Sequence, residues 1–390
     1  MALKPDDPPT GLPEPGADES EHSDRLVALM QSEMAAGPIS FSRFMELALY
    51  APGLGYYSAG KTKFGESGDF ITAPELGNVF ARCVAHQCAQ VLAELDRGDI
   101  LEAGAGSGAL AADLLAELDR RRQLPGHYYI LELSADLRQR QRDRIEQVVP
   151  HLLERVQWLD DFPDQEIEGI ILANELLDAM PVSLFHVTDH GIMERYVALE
   201  ENSFAWKELP ASPQIRQRVE ALELDKDYCS EINLGAEAWI QTAARKLNRG
   251  IVLLFDYGFP QHEYYHPQRK TGTLMCHYRH RAHTDPLTFV GLQDITAHVD
   301  FTAMAQAAVD SGLDVLGYTS QAAFLMASGL NEIVADSSPE ATREHLDMTT
   351  QVKKLTLPSE MGELFKVIAL GKGFDSVLFG FELQDRRGRL

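Results

Sequence analysis

The chain predicts an α/β fold on a largely parallel sheet of seven strands, with a helical segment before the sheet and a large insertion after its fourth strand. Three observations predict it. An apolar strand ending at Ala103 runs into glycines at 104, 106 and 108 and then into an apolar helix. Strand-like and helix-like stretches alternate across residues 99–256, the pattern of parallel strands joined by crossovers. A length of 390 residues permits a large core and two or three domains.

Residues 1–24 hold five prolines, seven acids and one lysine, too little apolar surface to order themselves, and read as a disordered acidic tail. Residues 25–96 read as an N-terminal helical cap. Apolar residues recur at helical spacing at Phe41, Phe44, Met45, Leu47 and Ala48, and a glycine-rich aromatic stretch follows at 50–57. Glycines at 65 and 68 flank a loop that carries Asp69 and Phe70, a composition suited to closing over a site. Thr72-Ala-Pro-Glu75 has capping-box spacing with proline in the first turn, so a helix is expected onward from there.

The core is expected over 97–390. Its strands fall at 99–103, 127–132, around 156–158, at 167–174, 250–256, 313–318 and 364–370. An insertion at 178–248, with a hairpin at 184–206, separates the fourth strand from the fifth.

Charge and cysteines limit the function. With 59 acids against 35 bases the formal charge is −24, which argues against a nucleic-acid surface and favours a basic protein segment or a single cationic side chain as partner. The four cysteines form no C-x-x-C pair, so neither a disulfide framework nor zinc is indicated. No apolar run reaches 18 residues, so no membrane association is expected. The N-terminus has no targeting pattern. These readings together predict a cytoplasmic bacterial protein.

The glycine turn places backbone N–H groups and a helix N-terminus against a ligand. Gly104, Gly106 and Ala109 also satisfy the dinucleotide fingerprint, so the glycines alone do not choose between nucleotide ligands. Glu102, two residues earlier, suits an ammonium group better than a pyrophosphate. Glu132 ends the second strand, where its two oxygens suit a ribose cis-diol; a charge placed at a helix start for its dipole is the lesser alternative. Trp158 with Asp160 or Asp161 can frame an adenine, although a lone tryptophan also serves as core.

Several segments together resemble the MidA-like family of S-adenosylmethionine-dependent methyltransferases. They are Gly-Asp-Phe-Ile-Thr at 68–72, Leu-Glu-Ala-Gly-Ala-Gly-Ser-Gly at 101–108, Leu-Glu-Leu-Ser at 131–134 and Ala-Asn-Glu-Leu-Leu-Asp-Ala-Met-Pro-Val at 173–182. Phe-Asp-Tyr-Gly at 255–258 and Met-Gly-Glu-Leu-Phe-Lys-Val at 361–367 complete the set, which spans nearly the whole ordered chain.

The resemblance implies a Rossmann-like methyltransferase sheet and S-adenosylmethionine as cofactor. It also implies a protein client methylated on arginine, as in mitochondrial members that act as complex I assembly factors. Gly68, Asp69 and Thr72 then lie near cofactor and acceptor, and Glu102, Gly104, Gly106, Gly108, Glu132, Trp158, Asp160, Asp161 and Asn174 line the cofactor.

Asn174, Glu175 and Asp178 follow the fourth strand, where this fold orients the acceptor. Methyltransferases of planar amides or adenine usually carry Asn-Pro-Pro-Tyr or Asp-Pro-Pro-Tyr there. A glutamate in place of the first proline suits a guanidinium, which needs carboxylates to localise its charge and take a proton. Asp69 and Asp178 are candidates for the second acid. A small-molecule or other side-chain acceptor, and a non-catalytic factor that binds the cofactor, are the alternatives. The oligomeric state stays open, with a homodimer among its forms.

Histidines at 277, 280 and 283 form the one basic cluster, read as a loop rather than a metal site. His298 and Asp300 are further candidates for the acceptor side, against a buried structural histidine.

Overall fold

The computed structural model describes residues 11–58, 72–336 and 342–390. Gly68 and Asp69 lie outside the described residues. The chain forms two compact units. One comprises 1–70, 177–236 and 262–299, and the other 71–176, 237–261 and 300–390.

The second unit is built on a sheet of eight strands, one more than expected, whose seven longer strands are β1 (Asp99–Ala103), β2 (Tyr128–Leu131), β3 (Val156–Leu159), β4 (Ile167–Asn174), β5 (Leu247–Phe259), β6 (Asp314–Ser320) and β7 (Phe365–Lys372). Their spatial order is β6-β7-β5-β4-β1-β2-β3. β3, β2, β1, β4 and β5 are parallel neighbours, whereas β7 runs antiparallel to both β5 and β6. The chain leaves β1 toward β2 on one side and returns to β4 on the other. The crevice at this switch point, outside the carboxyl ends of β1 and β4, is where open α/β sheets bind ligands.

β4 and β5 read as near-continuous apolar runs because helices cover both faces of a parallel sheet. Phe80 on the helix Asn78–Glu94 packs edge-on against Phe255 of β5 at 5.2 Å between centroids. Phe324 does the same from the helix Gln321–Ala327 at 5.1 Å. All three rings are buried in one apolar core.

The other unit packs the helices Ala17–Glu33 and Phe41–Tyr50 with a five-stranded antiparallel sheet whose long hairpin is Ser183–Thr188 and Gly191–Glu200. Phe41 and Phe44 meet Trp206 and Phe204 at 5.4 and 5.5 Å between centroids. A three-stranded sheet carries the histidine cluster: Met275–Tyr278 and Arg281–His283 form a hairpin, with Arg279 and His280 at its left-handed turn.

Four expectations change. The acidic tail does not extend to residue 24, because a helix starts at Ala17. Asp18 and Glu19 stand in its first turn, where acids are favoured by the helix dipole, and Leu26 and Met30 bury one face. Composition counted those acids as a signal of disorder.

Thr72 does not cap a continuous helix. Ala73–Leu76 is a separate 3-10 turn, Gly77 breaks it at φ 138°, and the α-helix begins at Asn78. That helix packs in the unit of the central sheet and not with the N-terminal cap, whereas the insertion up to residue 236 belongs with the N-terminal helices and its remainder with the central sheet. Asp300 is a helix cap: its Oδ1 accepts from the amides of Thr302 and Ala303 at 3.0 and 3.2 Å.

Candidate functional site

The glycine turn leaves β1 with Gly104, Gly106 and Gly108 all left-handed, at φ 71°, 52° and 84°. The Gly104 amide still pairs with the Leu131 carbonyl of β2 at 3.2 Å, which anchors the start of the turn. Gly108 opens the helix Ala109–Arg120. Ser107 donates its hydroxyl to Glu75, so the 3-10 turn beginning at Ala73 is tied to the glycine turn.

Glu102 is 2 % exposed and accepts from the Tyr128 hydroxyl at 2.7 Å. Burial pushes its carboxyl up to about 7, against the pull of the tyrosine bond, and the neighbouring charge of Glu132 pushes the same way. Near neutrality Glu102 is therefore close to its titration point, and a cation beside it favours the ionised form, with the proton released to solvent.

Glu132 stands where β2 ends. Its Oε1 accepts from the Ser134 amide at 2.9 Å and its Oε2 from the Gln141 side chain at 3.1 Å. Burial raises its pKa, and these donors partly offset the rise. Trp158 on β3 packs on the core, donates its indole N–H to Gln141 at 2.9 Å and carries the Arg142 guanidinium 4.7 Å above its ring. Asp160 is paired with Arg138 at 2.6 Å with its side chain 86 % exposed. Asp161 accepts from the next amide, that of Phe162, at 2.7 Å.

At the end of β4, Asn174 donates to Glu175 Oε1 at 3.2 Å. Its own Oδ1 is buried with no hydrogen-bond partner among the described residues. Glu175 is left-handed at φ 50°, and its amide is held by the Phe255 carbonyl of β5 at 2.9 Å. A non-glycine residue in this region stores about 1–3 kcal/mol, and such strain gathers at functional sites.

Asp178 belongs to the other unit. It is 5 % exposed there, its carbonyl accepts from the Ala297 amide at 2.9 Å, and its charge acts on Tyr57, whose hydroxyl donates to Asp294 at 2.9 Å. His298, also in that unit, donates its amide to Thr273 at 2.9 Å. Among the described residues no three His, Cys, Asp or Glu side chains gather as metal ligands.

Glu102, the glycine turn, Glu132, Trp158, Asn174 and Glu175 thus stand at or beyond the carboxyl ends of four parallel strands. Two residues of this region escaped sequence reasoning. Tyr128 is two positions before Ile130, the residue in register with Glu102, and so shares its face. Gln141 stands between Leu137 and Ile145 on the buried stripe of the helix Ala135–Val148, where a polar residue is itself a signal.

A parallel sheet in this order, with an antiparallel strand before its edge and a glycine turn at the switch point, defines a Rossmann-like nucleoside-binding enzyme. The family model described as "Putative S-adenosyl-L-methionine-dependent methyltransferase" matches residues 83–319. The chain belongs to this family, the MidA-like S-adenosylmethionine-dependent methyltransferases.

A protein from Burkholderia thailandensis, solved as a crystal structure bound to S-adenosyl-homocysteine, is 44 % identical. The match covers 97 % of this chain and 100 % of that one with a TM-score of 0.94. The mitochondrial protein arginine methyltransferase NDUFAF7 homolog of Drosophila melanogaster is 27 % identical over 94 % of this chain and 89 % of its own length. The mitochondrial protein arginine methyltransferase NDUFAF7 of Rattus norvegicus is 27 % identical over 90 % and 85 %. The protein is an S-adenosylmethionine-dependent methyltransferase, and no helix among the described residues is long and apolar enough to cross a membrane.

Proposed function

We propose that the methyl acceptor is an arginine side chain of a protein client, received by Asn174 and Glu175. The observation that carries this reading is the buried, unpartnered Oδ1 of Asn174 beside the strained Glu175. A guanidinium has five N–H donors and no acceptor, so a site that receives one needs acceptors left unsatisfied in its absence. The amide oxygen of Asn174 meets that need, and the carboxylate of Glu175 stands beside it to pair with the guanidinium charge. The names of the Drosophila and rat relatives support the same acceptor, and a formal charge of −24 suits a basic protein segment.

In this reading Glu102 faces the methionyl ammonium of the cofactor, directly or through water, and Glu132 the ribose hydroxyls. The backbone of Gly104, Gly106 and Gly108 borders the cofactor, with Trp158, Asp160 and Asp161 on the adenine side. Gly68, Asp69 and Thr72 keep the places that the family resemblance implies, and Asp69 and Asp178 remain candidates for the second acid.

S-adenosylmethionine supplies a sulfonium methyl open to in-line displacement. As the nitrogen–carbon bond forms, the sulfur keeps the electron pair of the breaking bond. Glu175 localises the guanidinium charge, and a carboxylate takes the proton that leaves the nitrogen. Most of the acceleration comes from positioning.

The test incubates the enzyme and methyl-tritiated S-adenosylmethionine with lysate of a strain lacking the gene. The expected result is a labelled protein that yields methylarginine on hydrolysis and is not labelled by Glu175→Gln. Label on another side chain or only on small molecules refutes the arginine assignment. No label despite S-adenosylhomocysteine binding points to a non-catalytic factor.

A further inference from the structure

Gln141 is 0 % exposed, and its side-chain amide uses every group it has. Nε2 donates to the Gly106 carbonyl at 3.0 Å and to Glu132 Oε2 at 3.1 Å, while Oε1 accepts from the Trp158 indole N–H at 2.9 Å. The neighbours fix the orientation of the amide. A flip would set its oxygen against two acceptors and its NH2 against an N–H donor.

The backbone at Gln141 is equally constrained. A Cβ on Gly108 would stand 2.8 Å from Gln141 Cα, so the third glycine lets the helix Ala135–Val148 come up against the glycine turn.

We propose that Gln141 is the positioning residue of the cofactor site, holding the glycine turn after β1, the carboxylate after β2 and the indole on β3 in one arrangement. This rests on the reading of Glu132 as the ribose ligand. A buried amide with three partners costs its full desolvation when any partner moves, so the three loops are placed together. Gln141 does not touch the transferring methyl. It acts through Glu132, whose charged form, the one that accepts the ribose hydroxyls, the Gln141 N–H favours against burial.

Among the described residues, Arg138 lies beside Glu132, bonded to its carbonyl at 2.6 Å and paired with Asp160, and its charge favours the ionised Glu132, which burial disfavours. Removing the Gln141 donor therefore makes Glu132 harder to ionise.

The test measures S-adenosylhomocysteine affinity by calorimetry from pH 5.5 to 8.5 for wild type, Gln141→Met, Gln141→Glu, Glu132→Gln and Ile145→Val. Ile145 lies on the same buried stripe and makes no polar contact with the site, so its variant lowers Tm without moving the pH profile. Gln141→Met is expected to weaken binding at least tenfold at neutral pH. It should also move the acidic loss of affinity to higher pH.

Gln141→Glu sets two carboxylates face to face. Its affinity, relative to wild type, should recover as the pH falls and one of them takes up a proton, opposite in sense to Gln141→Met. Gln141 variants that bind within twofold of wild type, or profiles that move no more than that of Ile145→Val, overturn the proposal. Unchanged affinity in Glu132→Gln removes the ribose reading, and the proposal with it. Weakened binding in Glu132→Gln beside unaffected Gln141 variants overturns the proposal alone.

Discussion

Tyr128 donates its hydroxyl to Glu102 at 2.7 Å, with both side chains enclosed between neighbouring strands of the parallel sheet. The bond partly offsets the burial that raises the carboxyl to about 7, so the free enzyme keeps this site close to its titration point. A carboxylate balanced in this way changes charge readily when an ammonium arrives. In isolation it is a source of pH-dependent stability.

The sign of that dependence follows from the raised pKa. A carboxyl at 4.5 when unfolded and about 7 when folded stabilises the fold fully below pH 4.5, and the contribution is lost as pH rises through 7. The difference amounts to about 3 kcal/mol at roughly 1.4 kcal/mol per unit. Thermal unfolding of the cofactor-free protein should therefore show wild type losing stability relative to Glu102→Gln between pH 4.5 and 7. Parallel curves would mean that the carboxyl titrates alike in both states.

S-adenosylhomocysteine should bind wild type more tightly as pH rises toward 7, because the ammonium selects the ionised Glu102. Glu102→Ala and Glu132→Ala should each weaken binding about tenfold or more, since hydrogen bonds to charged groups contribute roughly 1.5–3 kcal/mol. Calorimetry checks both, and an unchanged dissociation constant removes the corresponding assignment.

Glu175 separates backbone from side chain. Glu175→Gly relieves the left-handed residue at φ 50° and should raise stability by up to about 1 kcal/mol, while abolishing most turnover. Glu175→Gln keeps the strain, leaves cofactor affinity near wild type and lowers turnover. Affinity and turnover falling together in Glu175→Gln would move this residue to the cofactor side.

Phe324 lies in the packed core against two aromatic neighbours, Phe255 and Phe381. Truncation to alanine should cost about 3–5 kcal/mol in chemical denaturation. A loss below about 1 kcal/mol would show that the helix Gln321–Ala327 collapses onto the gap.

The sheet strands were legible because parallel strands covered on both faces are apolar along their whole length, and the glycine turn because only its backbone path requires such spacing. The observed β1 and β4 occupy the residues expected from their apolar runs, 99–103 and 167–174. Glu102, Glu132, Asn174 and Glu175 were legible as strand-end residues, since position along a parallel strand is itself position relative to the site.

The sequence by itself therefore determined the α/β class and the residues that end the strands. Tertiary structure alone decided how those residues behave. The protonation of Glu102 depends on burial against Tyr128, 26 residues away. The hold of Gln141 on Glu132, Gly106 and Trp158 joins four segments that only the crossovers bring together. The grouping of residues 177–236 with the N-terminal helices likewise depends on contacts between distant stretches of chain. Local periodicity records which face of an element is buried. What that face is buried against, and hence its charge state and geometry, belongs to packing between elements far apart in sequence.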